Sequence, residues 1–178
     1  MNHSDHVDLL RQGVPPGPAE WADLGAGTGA FSLALAELLG PGAILHCVDV
    51  DQEALRTLQR KMSSRSPEVE VRPLRADFTR GLPLSALDGI LMANSLHFVR
   101  NKTPLVRKLT ALLKSGASFI LVEYNVDQGN EWVPYPISYS RWEALAADCG
   151  LRSTRLIGAK PSRFLREIYS AASVNRDS

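Results

Sequence analysis

The chain has 178 residues, a formal net charge of +1, 44% hydrophobic and 22% charged side chains. That length fits one domain (residues 1–178) with a sizeable core, and the near-zero charge supplies no field to recruit nucleic acid or an anionic membrane. The start MNHSDHVDLLRQ is too polar for a signal peptide and no apolar run approaches a membrane span, so a cytoplasmic protein is expected.

In chain order, a helix is expected over residues 5–12, ended by the PPGP at 15–18. His3 and His6 there read as part of a mobile terminus rather than a metal pair. A strand over 19–24 runs into a glycine turn. Phe31, Leu35, Leu38 and Leu39 then share a helical face that Gly40-Pro41 stops. A buried strand follows over 43–49, and Asp51 is placed as N-cap of a helix with Leu55, Leu58 and Met62 inward. The basic residues Arg60, Lys61 and Arg65 at its end read as a solvated surface. Strands are expected over 69–76, despite Pro73, and over 87–93.

Pro104 suits the first turn of a helix with Leu105, Leu109, Leu112 and Leu113 inward, broken by Ser115-Gly116. The apolar run at 117–124 is the strongest strand. Ser140 and Glu143 form a capping-box pattern opening a helix that Gly150 closes. Strands over 151–157 and 164–171 lie close enough to pair as an antiparallel hairpin, leaving 172–178 as a tail. Cys47 and Cys149 fall in apolar, regular segments without metal-type spacing and read as reduced core thiols, with a disulfide left open. Strands alternating with helices imply an α/β, doubly wound, mostly parallel sheet in a three-layer αβα stack. Residues 19–124 form its core and 125–171 the side facing a second ligand. In such sheets the ligand lies beyond the carboxyl ends of the strands.

Those strand ends carry the chemistry. After the first comes DLGAGTGA, in which Gly25, Gly27 and Gly29 allow tight turning and close ligand approach. The spacing also satisfies a loose dinucleotide pattern ending at Ala30. Asp49 closes the second strand, 20 residues beyond Gly29, where a carboxylate can accept from a ribose diol. Asp51 competes for that role. Asp77, beside Phe78, closes the third, where it can accept from an exocyclic amine. Any one of these acids also reads as an ordinary turn residue; the three together after a glycine turn do not.

The stretches DLGAGTG, VDVDQEAL, ADF, LDGILMANSLHFV and LLKSGASFILVEY, over residues 21–124, resemble the class I S-adenosylmethionine-dependent methyltransferases. The similarity is strongest to small-molecule enzymes of the quinone-biosynthesis and methyltransferase-11 type. Ser115 and Ala117 depart from the family's usual LKPGG turn. The resemblance implies a Rossmann-like, seven-stranded sheet whose last strand is antiparallel. It implies S-adenosyl-L-methionine as cofactor, S-adenosyl-L-homocysteine as product, and cofactor contacts at Asp23, Gly25, Ala26, Gly27, Gly29, Asp49, Val50, Asp77, Phe78 and Asn94. Asp23 is then expected near the cationic methionine end, where a dinucleotide's pyrophosphate would be repelled by about 4 kcal/mol at 4 Å and an effective dielectric of 20.

Methyl transfer from a sulfonium is an in-line displacement that needs position more than a catalytic dyad. Asn94 is neutral, so a carboxylate-bound magnesium loses a ligand and no metal is expected. The ANSLHF segment also lacks the Pro-Pro-Tyr pattern of enzymes that methylate planar amino nitrogens. His97 is the one candidate base near this gate, against a packed helix-start histidine as the plainer reading. Tyr124, Trp132, Tyr135 and Tyr139 are candidates to line an acceptor pocket, or simply cover the sheet end. The expected acceptor is a small molecule, with nucleic acid ranked lower and the pocket either open or completed by a second copy in a homodimer. The alternatives are a sensor or partner subunit that only binds the cofactor, an RNA or protein acceptor, and a nicotinamide-dependent oxidoreductase.

Overall fold

A computed structural model describes residues 1–162 and 164–176. The elements are α1 (His3–Leu10), β1 (Glu20–Leu24), α2 (Ala30–Leu39), β2 (Ile44–Asp49), α3 (Gln52–Arg65), β3 (Glu70–Arg75) and β4 (Leu87–Ala93). A 3₁₀ turn (Leu96–Phe98), α4 (Lys102–Thr110), β5 (Leu113–Tyr124), α5 (Tyr139–Asp148), β6 (Leu151–Pro161) and β7 (Glu167–Asn175) follow. The strands form one sheet in the order β3-β2-β1-β4-β5-β7-β6. Only β7 is antiparallel to its neighbours, β5 and β6. This is the Rossmann-like methyltransferase sheet expected from the sequence.

Strand alternation sorts the core into two layers. Trp21, Leu91 and Ile120 face α1, α2 and α3, while Ala22, Ile90 and Phe119 face α4 and α5. β4 is paired on both sides and covered on both faces, which is why it reads as an unbroken apolar run. β3 pairs with β2 alone, so Pro73 sits on an edge where its missing N–H leaves the ladder intact. At the head of α3 the Asp51 side chain accepts from the Glu53 and Ala54 N–H groups at 2.9 and 3.1 Å, as expected of its cap.

Four expectations change. The N-terminus is built into the fold: α1 begins at His3, whose Nε2 lies 2.8 Å from Glu37, and the His6 ring lies tilted, 4.5 Å from that of Phe31. Leu113 belongs to β5 rather than to the preceding helix. It pairs with Leu87, and the register then slips so that Gly89 meets Ser118. Ser140 does not cap α5. Its open N–H groups at Ser138 and Tyr139 instead donate to Asp127 (3.1 Å) and Asn125 (3.0 Å), side chains more than ten residues upstream. The supposed tail continues β7 to Asn175, and residues 177–178 lie outside the described residues.

Asp23 has the alternation parity of Trp21, so its side chain enters the layer beneath α2. It is 1% exposed and accepts from the Ser32 hydroxyl at 2.6 Å. Burial, opposed by that hydrogen bond and reinforced by the Asp49 charge, raises its pKa to about 7. Between the unfolded carboxyl range near pH 4 and pH 7, the folded chain therefore holds a proton that the unfolded chain has released. Stability falls as pH rises through that window, by an amount on the order of 4 kcal/mol. Thermal melts of the wild type from pH 5 to pH 8 should show this decline, and Asp23→Asn should flatten it. Parallel profiles for the two proteins would disprove the assignment.

Candidate active site

The strand order reverses between β1 and β4, and a cleft of about 200 Å³ opens there at the carboxyl ends of the strands. Gly25 reaches it from the tip of β1, Asp49 and Val50 from β2, and Asp77 and Phe78 from β3. Asn94, Ser95 and Phe98 close it from β4. Six of the residues expected at the site thus share one cavity; Ser95 and Phe98 are additions. Ser95 is required by its neighbour: its Oγ donates to the Leu24 carbonyl at 2.6 Å, and a Cβ at Gly25 would meet its Cβ at 2.5 Å. Gly25 also has a φ of +82°, so both space and backbone select glycine. Gly27, with φ +53°, faces open space.

Four amides of the turn are already taken by protein oxygens. Gly25 and Ala26 N–H donate to the Val48 carbonyl at 2.8 and 3.0 Å, and Gly29 N–H to Ala26. Gly27 N–H donates to Asp49 Oδ2 at 2.8 Å. At Gly27 the amide therefore faces a carboxylate of the protein itself. The other Asp49 oxygen accepts from Asp51 N–H at 2.9 Å, so each oxygen keeps a lone pair for a donor in the cleft.

Asp77 accepts from the Thr79 amide and hydroxyl at 2.9 and 2.7 Å, with Arg80 3.3 Å away. The Thr79 hydrogen bonds, chiefly, hold its carboxyl below the usual range, so it is ionised and accepts at neutral pH. Asn94 stands at the mouth of the cleft with a left-handed φ of +53°, a conformation that asparagine tolerates better than most residues. Its backbone N–H donates to Val122. Its Oδ1 is sealed from solvent without a hydrogen-bond partner, an acceptor that a ligand N–H would satisfy. The cleft therefore presents carboxylate acceptors from the tips of β2 and β3, with the Asn94 side chain beside them. These residues fit adenosylmethionine, a nucleoside with an amine, a ribose diol and a cationic amino group, and no phosphate.

The remaining sequence candidates lie elsewhere. Asp23 lies beneath the turn rather than in the cleft; Ala26 is buried in it, and Gly29 packs against Leu58. His97 is 3% exposed, with Nδ1 3.0 Å from both oxygens of Glu123, itself fully buried. Tyr124 lies 6.0 Å from the His97 ring, and its phenol is pushed up by burial and by the Glu123 charge. Trp132 is 74% exposed. Tyr135 lines a separate groove of about 520 Å³ with Arg100 and Arg141. Tyr139 packs edge-on to Tyr169, its hydroxyl bonded to Glu143. No three His, Cys, Asp or Glu side chains converge as a metal-binding set among the described residues. No helix among them is long and apolar enough to cross a membrane.

Glu123 escaped the sequence reading altogether. The signal was available: a carboxylate at 123 shares strand parity with Phe119 and Leu121, which places it in the buried layer under α4 and α5.

Comparison with known proteins agrees with this geometry. A family profile described as a methyltransferase domain matches residues 22–119. A probable cobalt-precorrin-6B C(15)-methyltransferase (decarboxylating) of Thermoplasma volcanium is 28% identical over 127 residues. The match covers 71% of this chain and 61% of that protein, so the chain spans less than two thirds of the relative's length. A SAM-dependent methyltransferase structure from Aquifex aeolicus has a TM-score of 0.74 at 19% identity, covering 96% and 89% of the two chains. The 1,6-didemethyltoxoflavin-N1-methyltransferase of Burkholderia thailandensis, with 1,6-didemethyltoxoflavin and S-adenosylhomocysteine bound, has a TM-score of 0.76 at 16% identity, covering 98% and 78%. Those two likenesses show the fold, and the profile match shows the family. The chain belongs to the methyltransferase-domain family of class I S-adenosylmethionine-dependent enzymes.

Proposed function

We propose that the chain binds S-adenosylmethionine in the β1–β4 cleft and transfers its methyl group by in-line displacement to a small-molecule acceptor, releasing S-adenosylhomocysteine. The observation that carries this reading is the sign of the site. Asp49 and Asp77 present carboxylate acceptors, while the Gly25, Ala26, Gly27 and Gly29 amides of the turn are spent on protein oxygens. A pyrophosphate would have to displace the Asp49 carboxylate from Gly27 and then lie beside it.

When bound, adenosylmethionine supplies a methyl group already attached to a good leaving centre. The chain's part is to hold and screen. Asp49 would take the ribose hydroxyls, Asp77 the adenine amine, and Asn94 Oδ1 an N–H of the methionine portion. Val50 and Phe98, both exposed, offer apolar cover on either side. Alignment of this kind is worth about 7–11 kcal/mol of barrier in favourable cases. Cys47 and Cys149 are free and buried, which suits the reducing cytoplasm. The acceptor side is left to the loop after β5 and to α1, a short wall that suits a small acceptor.

Asp49→Ala removes a charged acceptor, worth about 1.5–3 kcal/mol for hydrogen bonds of this type. Affinity for S-adenosylhomocysteine, read by calorimetry, should fall at least tenfold while the fold persists by circular dichroism; unchanged affinity would refute the ribose assignment. Gly25→Ala and Gly27→Ala separate the two demands on the turn. The first should lower the melting temperature markedly through its clash with Ser95. The second should melt within a few degrees of wild type, and equal losses in both would contradict the packing account. Incubation with methyl-labelled cofactor and fractionated cell extract, Asp49→Ala serving as control, should move label into a low-mass compound; label in RNA or protein, or in nothing, would count against the acceptor class.

A further inference from the structure

The end of the sheet that opens onto the cleft also carries most of the large apolar side chains that the fold leaves uncovered. Among the described residues seven such side chains are exposed, and five of them lie in loops that follow the carboxyl ends of strands. Val50 follows β2, Phe98 follows β4, Trp132 and Tyr135 follow β5, and Phe164 follows β6. Because β7 runs antiparallel to both β5 and β6, the turn after β6 returns to this same end, where the Asn125 N–H donates to the Glu167 carbonyl at 3.0 Å. Apolar residues scattered singly over a surface are ordinary; their collection at one end calls for a cause. Val50 and Phe98 line the cleft, but Trp132 and Phe164 do not.

Hydrogen-bonded turns hold these rings out. Asn130 Oδ1 accepts from the Trp132 and Val133 N–H groups at 2.9 and 2.8 Å, and the Asn130 N–H donates to the Val133 carbonyl at 3.0 Å. That turn buries Val133 and leaves Trp132 74% exposed. The Phe164 N–H donates to Ser162 Oγ at 3.2 Å and the Ser162 N–H to the Arg166 carbonyl at 2.8 Å, in a turn that leaves Phe164 69% exposed. Phe98 is exposed in a 3₁₀ turn whose other two residues, Leu96 and His97, are buried, and the Val99 N–H closes that turn on the Leu96 carbonyl at 3.0 Å. In each case the backbone that carries the ring is fixed before anything meets it.

We propose that this end of the sheet docks on a phospholipid surface, with Trp132, Phe164 and Phe98 entering the interfacial layer and the cleft turned towards the lipid. Two observations choose lipid as the occupant. Rings on three separate turns would need three matching pockets on a protein partner, whereas a fluid interface admits each one independently, and exposed aromatic rings favour that layer. Charge agrees with this. Asp127 is met by Arg141 at 3.8 Å, which leaves Arg100 and Arg166 on these loops against Glu131, an excess that suits lipid phosphates. The inference goes beyond the methyltransferase reading and does not require it, since it rests on exposed rings and not on the cofactor.

The chain carries its own probe. Of its three tryptophans, Trp21 and Trp142 are 0% exposed, so a change in emission on docking reports Trp132. The full chain is mixed with phosphatidylcholine–phosphatidylglycerol vesicles, and binding is read by co-sedimentation and by tryptophan emission. The wild type should sediment with the vesicles, its emission should move to shorter wavelength, and brominated acyl chains should quench it. Trp132→Phe should sediment like the wild type without the emission change. Trp132→Ala combined with Phe164→Ala should bind about tenfold more weakly while melting within a few degrees of the wild type. A wild type that stays in solution overturns the proposal. Sedimentation without the emission change is adsorption through the arginines alone and overturns it too, as does sedimentation that survives the double substitution, which places the contact elsewhere. An emission shift that grows with protein concentration before vesicles are added assigns the face to a second copy and also overturns it. Affinity for S-adenosylhomocysteine is measured on the same samples: vesicle binding without it refutes the cofactor reading alone, whereas normal affinity without vesicle binding refutes only this inference.

Discussion

The cleft turns on one hydrogen bond, from the Gly27 amide to the Asp49 carboxylate at 2.8 Å. It joins the turn after β1 to the tip of β2 and fixes the floor of the cleft between them. A bond between a backbone N–H and an ionised acceptor is roughly twice as strong as a neutral one, and this one also decides the electrostatic character of the site. The Gly27 amide is taken by a carboxylate, the Gly25 and Ala26 amides by the Val48 carbonyl and the Gly29 amide by the Ala26 carbonyl. A glycine-rich turn that begins a helix elsewhere makes a phosphate cradle. Here the same backbone shape presents a carboxylate, and the ligand proposed for it carries hydroxyls, amines and positive charge.

Around that floor, the loops after β4 and β5 are tied to one another. Glu123 holds His97, Lys102 holds Tyr135, and Tyr135 holds the His97 backbone. The loop after β5 in turn caps α5 through Asn125 and Asp127. Four elements thus meet around two buried, opposite charges. A cluster of this kind costs desolvation that only complete hydrogen bonding offsets. Glu123 takes three donors, and two of the three Lys102 N–H groups donate to carbonyls. The arrangement gives a small chain a rigid wall beside the cleft without any inserted segment.

Much of this was legible in the residues, and the reasons are local. β4 is an unbroken apolar run because it is central and covered on both faces. Asp51 is a cap because an aspartate before an amphipathic stretch has few better uses. Asp49 and Asp77 fall at strand tips that the doubly wound order brings together. What escaped notice depends on partners distant in sequence. The caps of α5 come from Asn125 and Asp127, which no Ser-x-x-Glu pattern reveals. Leu113 joins β5 because Leu87 is there to pair with it, although its helical spacing fits as well. Asp23 and Glu123 are a different case. Each can be placed by counting strand parity from Trp21 and from Phe119; the motif around Asp23 says nothing of the face it shares, and no motif singles out Glu123.

The central claim is that the cleft selects a phosphate-free, donor-bearing nucleoside. Calorimetric titration of S-adenosylhomocysteine and of NADH into matched samples of the full chain tests it most directly. The account predicts one saturable site for S-adenosylhomocysteine and no saturable heat for NADH. Saturable binding of NADH with none of S-adenosylhomocysteine would contradict it.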